Sequence, residues 1–177
     1  MTPQEIRNLR LKNDYEEMEN IKGALIDWKP VRGTLPFIEE YELTVNVNGI
    51  ISSTPSYRDK HTIKLVLPAG YPIAPPEIYM QSTPIVFHPN WFPVGKWCFG
   101  KWMMAEGLGH HVVRMIRTIQ YDTEITNENS PANQEANKWY LLKKNSGLFP
   151  CDRKGLPDPT KKRFEINQTP KKKFIIK

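Results

Sequence analysis

Apolar residues along the chain fall into two periods, and the switch between them outlines the fold. Near the N-terminus Leu11, Tyr15, Met18 and Ile21 recur at spacings of three and four, the signature of one helical face. Thr2-Pro3-Gln4-Glu5 supplies its start: Thr2 as N-cap, Pro3 at the first helical position, and Glu5 placed to close a capping box. Gly23 is the expected stop. A short strand, Leu25 to Trp28, is then expected to end before Pro30. Tyr41, Leu43, Val45 and Val47 alternate with Glu42, Thr44, Asn46 and Asn48, which predicts a strand with one wet face. Asn48-Gly49 signals a turn. Ile63, Leu65 and Leu67 predict a third strand, and Ile78 with Met80 a shorter fourth. Turn signals close together make an antiparallel four-stranded meander the simplest topology.

Beyond Met80 a long crossing rich in proline and aromatic residues leads to Cys98. After Gly107-Leu108-Gly109 the period returns to helical, with Val112, Met115, Ile116 and Ile119 on one stripe and Val113 beside it. Asn127 to Ala132 reads as a loop feeding a last helix, with Ser130 as cap and Pro131 at its first position. That helix runs through Trp139, Leu141 and Leu142 to Asn145-Ser146-Gly147. Helix, sheet, crossing, helices is an α+β layout with segregated elements. Residues 1–146 are expected to form the core, and 147–177 an irregular, basic, Pro/Lys-rich extension. Within it Phe164-Glu165-Ile166 and Phe174-Ile175-Ile176 are candidate short strands or anchors.

At 177 residues the chain holds one well-cored domain plus an appendage. No apolar run approaches the roughly 20 residues that span a bilayer. Met1 to Glu5 lacks the features of a signal peptide, so the expected location is cytoplasmic. The two cysteines, Cys98 and Cys151, form no CxxC pair and have no clustered histidines, which argues against a structural disulfide or zinc site. The net charge of +6 suggests nucleic acid until it is located: positions 1–150 carry 16 basic and 16 acidic residues. The excess sits in residues 151–177, which hold nine basic residues against three acids. A neutral body with a basic tail lacks the bases interleaved with aromatics that a nucleic-acid surface needs. Arg7, Arg10 and Lys12 on the first helix are read either as an ordinary solvated face or as a docking surface.

The chemistry concentrates between Tyr71 and Trp102. Asn90 places a side-chain amide eight residues before the Cys98 thiol, in a segment too proline-rich for a helix. A thiol with a fixed amide donor suits acyl transfer through a thioester, since a donor aimed at a tetrahedral oxyanion contributes a few kcal/mol to the transition state. Cys98 is otherwise a buried hydrophobe, and Asn90 a brace for the turn at His88-Pro89. His88 is the nearest candidate base, but its place before Pro-Asn favours a role in shaping the loop.

These motifs, in this order, resemble the ubiquitin-conjugating enzymes. The resemblance rests on the first helix, the meander, and a Tyr-Pro-x-x-Pro-Pro element from Tyr71 to Pro76. It rests further on His88-Pro89-Asn90 with the cysteine ten residues after the histidine, and on Asn127 with Ser130-Pro131-Ala132, whose proline lies 33 residues past the cysteine. It spans roughly residues 1–145.

The resemblance implies that Cys98 accepts a ubiquitin-like modifier from an activating enzyme as a thioester and passes it to a lysine of a protein substrate, alone or with a ligase. Asn90 would stabilise the oxyanion or the active-site loop. Ser130 stands where many relatives carry an acidic residue that orients the incoming lysine, and its roles as gate and as helix cap can coexist. Asn127 would help shape the lysine's approach, and Pro131 would wall the groove. Arg7, Arg10 and Lys12 match the surface that meets the activating enzyme, and Ile73 and Leu108 match positions offered to ligases. Such a carrier needs neither metal nor cofactor.

The chain departs from the family after the cysteine. Phe99-Gly100 replaces the usual Leu-Asp, and Glu106 stands where relatives carry a tryptophan, with Trp102 nearer the cysteine. These departures and the basic extension mark a divergent member, such as one from a prokaryotic ubiquitin-like conjugation system, and the modifier need not be ubiquitin. Two alternatives stand beside this reading. One is a non-catalytic module on the same fold that binds a ubiquitin-like protein, against which the retention of Cys98 and Asn90 weighs. The other is a cysteine hydrolase with His88 as base, which lacks an evident third orienting group.

Overall fold

A computed structural model of the chain describes residues 1–162. The two anchors expected at Phe164–Ile166 and Phe174–Ile176 lie outside the described residues. Helix α1 (Pro3–Ile21) begins as expected: Thr2 Oγ1 accepts from the Glu5 amide, and the Glu5 carboxylate accepts from the Thr2 amide at 2.6 Å. It buries Leu11, Met18 and Ile21 against the sheet, with Tyr15 edge-on to Trp28, and ends two residues before Gly23.

The sheet comprises β1 (Ile26–Thr34), β2 (Phe37–Val45), β5 (His61–Val66) and β6 (Glu77–Met80), antiparallel in that spatial order. Its inner face pairs Trp28 with Leu43, Leu43 with Ile63, and Leu65 with both Tyr41 and Ile78. The outer face pairs charges, as in Glu42 with Lys29 and Lys64. Cross-strand packing inside and complementary charge outside fix the register, because a one-residue slip would exchange the faces.

Two strand expectations need correction. β1 does not end before Pro30 but continues to Thr34. As an edge strand it tolerates a residue without an N–H, and its pairing with β2 shifts register just past that proline. The meander is also interrupted between β2 and β5 by a hairpin, β3 (Gly49–Ser52) with β4 (Ser56–Arg58). Ile50 of that hairpin joins a second, smaller core with Tyr121 and Tyr140.

Helix α2 (Leu108–Ile119) docks on α1 through two carboxylates at its N-terminus. Asp14 accepts from the Leu108 amide at 3.1 Å and Glu17 from the Gly109 amide at 2.9 Å. Both satisfy first-turn N–H groups that have no partner within the helix. A Cβ at Gly107 would fall 2.1 Å from the Glu17 carboxylate and would push it off the Gly109 amide. Helix α3 (Gln134–Lys143) starts later than expected, and its cap is Asn133, whose Oδ1 accepts from the Ala136 amide at 3.0 Å. Ser130 is therefore not the helix cap. From Gly147 to Lys162 the chain has no helix or strand. Phe149 packs among Tyr121, Trp139 and Tyr140, and Pro159 lies against Gly109. No helix of the described residues is long and apolar enough to cross a membrane.

Candidate active site

The crossing from β6 to α2 is held by backbone bonds to the sheet edge and by large buried rings. Trp97 donates its amide to the Ile78 carbonyl, and Met80 donates to Gly95. Trp91 and Trp97 stack, and the Trp91 indole donates to the Gly95 carbonyl at 2.7 Å. Gly95 has a φ of +103°, a backbone conformation that disfavours other residues, and turns closely against Met80. Upstream, the buried Tyr71 hydroxyl donates to Asp14 at 2.6 Å, and the Trp102 indole closes over the proline loop by donating to the Pro72 carbonyl. The cysteine segment is thereby tied to both the sheet and α1.

His88 is fully buried, with its ring 4.2 Å from that of Tyr121. Its Nδ1 accepts the Asn90 amide at 2.9 Å, so the proton resides on Nε2, which has no hydrogen-bond partner among the described residues. Burial pushes the imidazole down to about 3. A neutral ring whose lone pair is already engaged shapes the loop and cannot serve as a base. The Pro89 carbonyl accepts the amides of Ala132 and Asn133, which ties the segment around Pro131 to the crossing.

Asn90 is the junction. Its Nδ2 donates to the Asn127 carbonyl at 2.8 Å and its Oδ1 accepts the Asn127 amide at 2.7 Å, while its own carbonyl accepts the Cys98 amide at 2.9 Å. One Nδ2 hydrogen remains in excess of this pairing. The Asn127 side chain in turn accepts the amides of Asn129 and Ser130.

Cys98, Asn90, Asn127 and Ser130 together line one open cavity of about 270 Å³. Cys98 is half-buried and carries a free thiol, whereas the second free thiol, Cys151, is exposed on the extension. The sequence reading missed three further lining residues: Ile125 and, on α2, Arg114 and Thr118. The trace the two α2 residues leave in the sequence is that they lie one turn apart, flanking the apolar stripe. Arg114 forks onto Glu106, with both contacts at 2.9 Å. Burial alone would raise the Glu106 carboxyl, but His111 and Arg114 outweigh it and hold the group at about 2.

The expected docking residues divide. Lys12 is exposed and Ile73 is 81% exposed. Leu108 is fully buried in the core and presents no side chain to a partner, which corrects the expectation for it. Arg7 pairs with Glu39 and donates to the Pro68 and Ala69 carbonyls. Arg10 is turned inward onto Asp14, the Tyr71 hydroxyl and the carbonyls of Met104 and Glu106. Both arginines hold α1 to its neighbouring loops and do not form a free basic face.

No protein-family model and no curated protein matches the chain. Among solved structures it is similar to S. cerevisiae Ubc12, with a TM-score of 0.58 and 21% identity over 78% of this chain and 71% of that one. The N-terminal helix, the four-stranded antiparallel sheet and the C-terminal helices thus compose the α+β fold of the ubiquitin-conjugating enzymes.

Proposed function

We propose that this protein is a conjugating enzyme that carries a ubiquitin-like modifier as a thioester on Cys98. In the first step the Cys98 thiolate attacks the modifier's C-terminal carbonyl on the activating enzyme. A new C–S bond forms, and the activating enzyme's thiolate leaves. In the second step a lysine amine attacks the same carbonyl. The C–N bond forms, the C–S bond to Cys98 breaks with the electron pair on sulfur, and the amine's proton passes to solvent. Adenylation of the modifier, and the ATP it consumes, belong to the activating enzyme, so the carrier needs no cofactor.

The observation that carries this reading is the single cavity that joins the Cys98 thiol to Asn90, Asn127 and Ser130 on this fold. The Nδ2 hydrogen of Asn90 left over from the pair with Asn127 is the oxyanion donor in this scheme. Ser130, exposed at the rim, accepts a hydrogen bond from the arriving ammonium and orients it. The partly apolar walls desolvate that lysine and favour its neutral, nucleophilic form near pH 7. Lys12 is the contact for the activating enzyme, and Ile73 the contact for a ligase.

The test combines purified protein, an activating enzyme, a ubiquitin-like protein and ATP, with products separated with and without thiol reductant. An ATP-dependent adduct that reductant removes and that Cys98→Ala abolishes is the expected result. An adduct surviving in Cys98→Ala would move the site to Cys151. Absence of any adduct with cognate partners, together with retained binding of the modifier, would favour a non-catalytic module.

A further inference from the structure

Arg114 is the most heavily bonded side chain of the cavity wall, and the chemistry proposed above does not use it. Its Nε and Nη2 meet the two Glu106 oxygens, Nη1 donates to the Phe99 carbonyl at 2.7 Å, and Nη2 also lies 3.2 Å from His111 Nδ1. The guanidinium carbon stands 5.4 Å from the centre of the Trp97 ring. Three of its five N–H groups are thus engaged, to Glu106 and the Phe99 carbonyl, in a planar fork that a lysine cannot reproduce.

The Phe99 carbonyl is a telling partner. Cys98 is anchored on its N-terminal side, where its amide donates to the Asn90 carbonyl. On the other side the chain enters Gly100, which is exposed and has a φ of +80° with nothing within 4 Å of where a Cβ would stand. The Phe99 ring packs on Trp97 and His111, and the Arg114 bond to its carbonyl adds the polar tie that fixes the backbone before the unsupported Gly100. Glu106, which orients the guanidinium, occupies the position where the resembled family carries a tryptophan, so the ion pair belongs to this chain's own departure.

The geometry points to Arg114 as a positioning residue for Cys98: oriented by Glu106, it fixes the Phe99 carbonyl and through it the direction of the Cys98 thiol in the cavity. The inference rests on the thioester-carrier reading for its catalytic consequence, but the positioning itself is measurable without any partner protein.

The experiment uses the full chain carrying Cys151→Ser, so that Cys98 is the remaining thiol. Arg114→Lys, Arg114→Ala and Glu106→Gln are compared with the parent, with Arg114→Gln replacing Arg114→Ala if that variant does not fold. Melting temperature is recorded first, and all rates are taken well below it. In the unloaded protein, iodoacetamide should alkylate Cys98 about threefold faster or more in both Arg114 variants, because the released segment exposes a half-buried thiol. In the loaded protein, discharge at saturating free lysine should fall about 10- to 100-fold. Half-saturation should change less than about twofold. Glu106→Gln should lie between the parent and Arg114→Lys. Unchanged alkylation in the alanine variant overturns the inference, as does parental behaviour of Arg114→Lys in both assays, since charge alone would then suffice. A parent protein that never loads would count against the thioester reading, and the alkylation comparison would still decide the positioning.

Discussion

Asn90 and Asn127 exchange two hydrogen bonds, the side-chain amide of the first pairing with the backbone N–H and C=O of the second at 2.7 and 2.8 Å. The pair joins the crossing that carries Cys98 to the loop that carries Ser130, segments with no secondary-structure ladder between them. A single side chain thus ties together the two segments that line the cavity. Asn90→Ala should lower stability by about 1–3 kcal/mol, since two bonds are lost beside buried surface. Aminolysis should slow by about 10²- to 10³-fold if the donor reaches the oxyanion. Asn127→Ala keeps the backbone pair and loses only the bonds to the Asn129 and Ser130 amides, so its effect on both should be smaller. Denaturant unfolding and single-turnover discharge measure the two quantities. Equal rate losses in both variants would assign Asn90 to loop bracing alone.

The buried histidines make stability fall on the acid side of neutrality. Burial holds His61 at about 4 and His88 at about 3, below the value of about 6.5 expected for an unfolded chain. As pH drops below 6.5 the unfolded state takes up protons that the folded state refuses. The stability present above 6.5 is therefore lost progressively toward the folded values. Glu106, held at about 2, adds its own loss only once the pH falls below the usual carboxylate range. From pH 7 to pH 5 the histidines therefore lower stability, while the Asp14 carboxyl, raised by burial, acts in the opposite direction. Urea midpoints should fall across this range, and the His61 ring resonances should not shift. A His61 resonance titrating near 6.5 would contradict its buried, neutral state.

The start of α3 gives Asn133 the capping role that the sequence suggests for Ser130. Asn133 accepts the Ala136 amide, while the Ser130 amide is held by the Asn127 side chain and the Ala132 and Asn133 amides donate to the Pro89 carbonyl. Asn133→Ala should cost about 1 kcal/mol as a lost cap. Ser130→Ala should leave stability within about 0.5 kcal/mol. Its effect should appear in lysine discharge, through half-saturation more than through the maximal rate. Thermal melts of the two variants distinguish the cap directly.

The elements that were legible in the sequence are those whose signal is local. The Thr2-Pro3-Glu5 start of α1 and the alternation through Tyr41 to Val45 and Ile63 to Leu67 each depend on a few neighbouring residues. What stayed hidden depends on partners distant in the chain. Pro30 reads as a strand end until β1 is known to be the sheet edge. The Ser/Thr-rich β3–β4 hairpin shows no period of its own and is held by Ile50 reaching Tyr121 and Tyr140. Leu108 looks like a loop residue because its Asp14 partner lies on another helix. In the candidate site, Cys98 and Asn90 could be paired from their spacing and Asn127 from the family resemblance, whereas Arg114 could not be found, since its links to Glu106 and Phe99 exist only once α2 is folded against the crossing.

Arg10 and Lys12, two residues apart on α1, should respond oppositely to substitution. Arg10 is mostly buried and completes a network with Asp14, Tyr71 and the Met104 and Glu106 carbonyls, so its removal leaves the Asp14 carboxylate without its compensating charge. Breaking a buried pair from one side costs about 3–5 kcal/mol. Arg10→Ala should therefore lower the melting temperature markedly and loosen the loop between Trp102 and Glu106. Lys12 is exposed and makes no ion pair among the described residues, so Lys12→Glu should leave the melting temperature nearly unchanged. If α1 meets the activating enzyme through Lys12, Lys12→Glu should slow thioester loading at low salt, with the deficit shrinking as ionic strength rises, because rim charges act through screened steering. Loading kinetics at two salt concentrations, with melts of both variants, provide the check. Salt-independent loading in Lys12→Glu would remove this lysine from the docking surface, whereas an unchanged melt in Arg10→Ala would contradict the buried network itself.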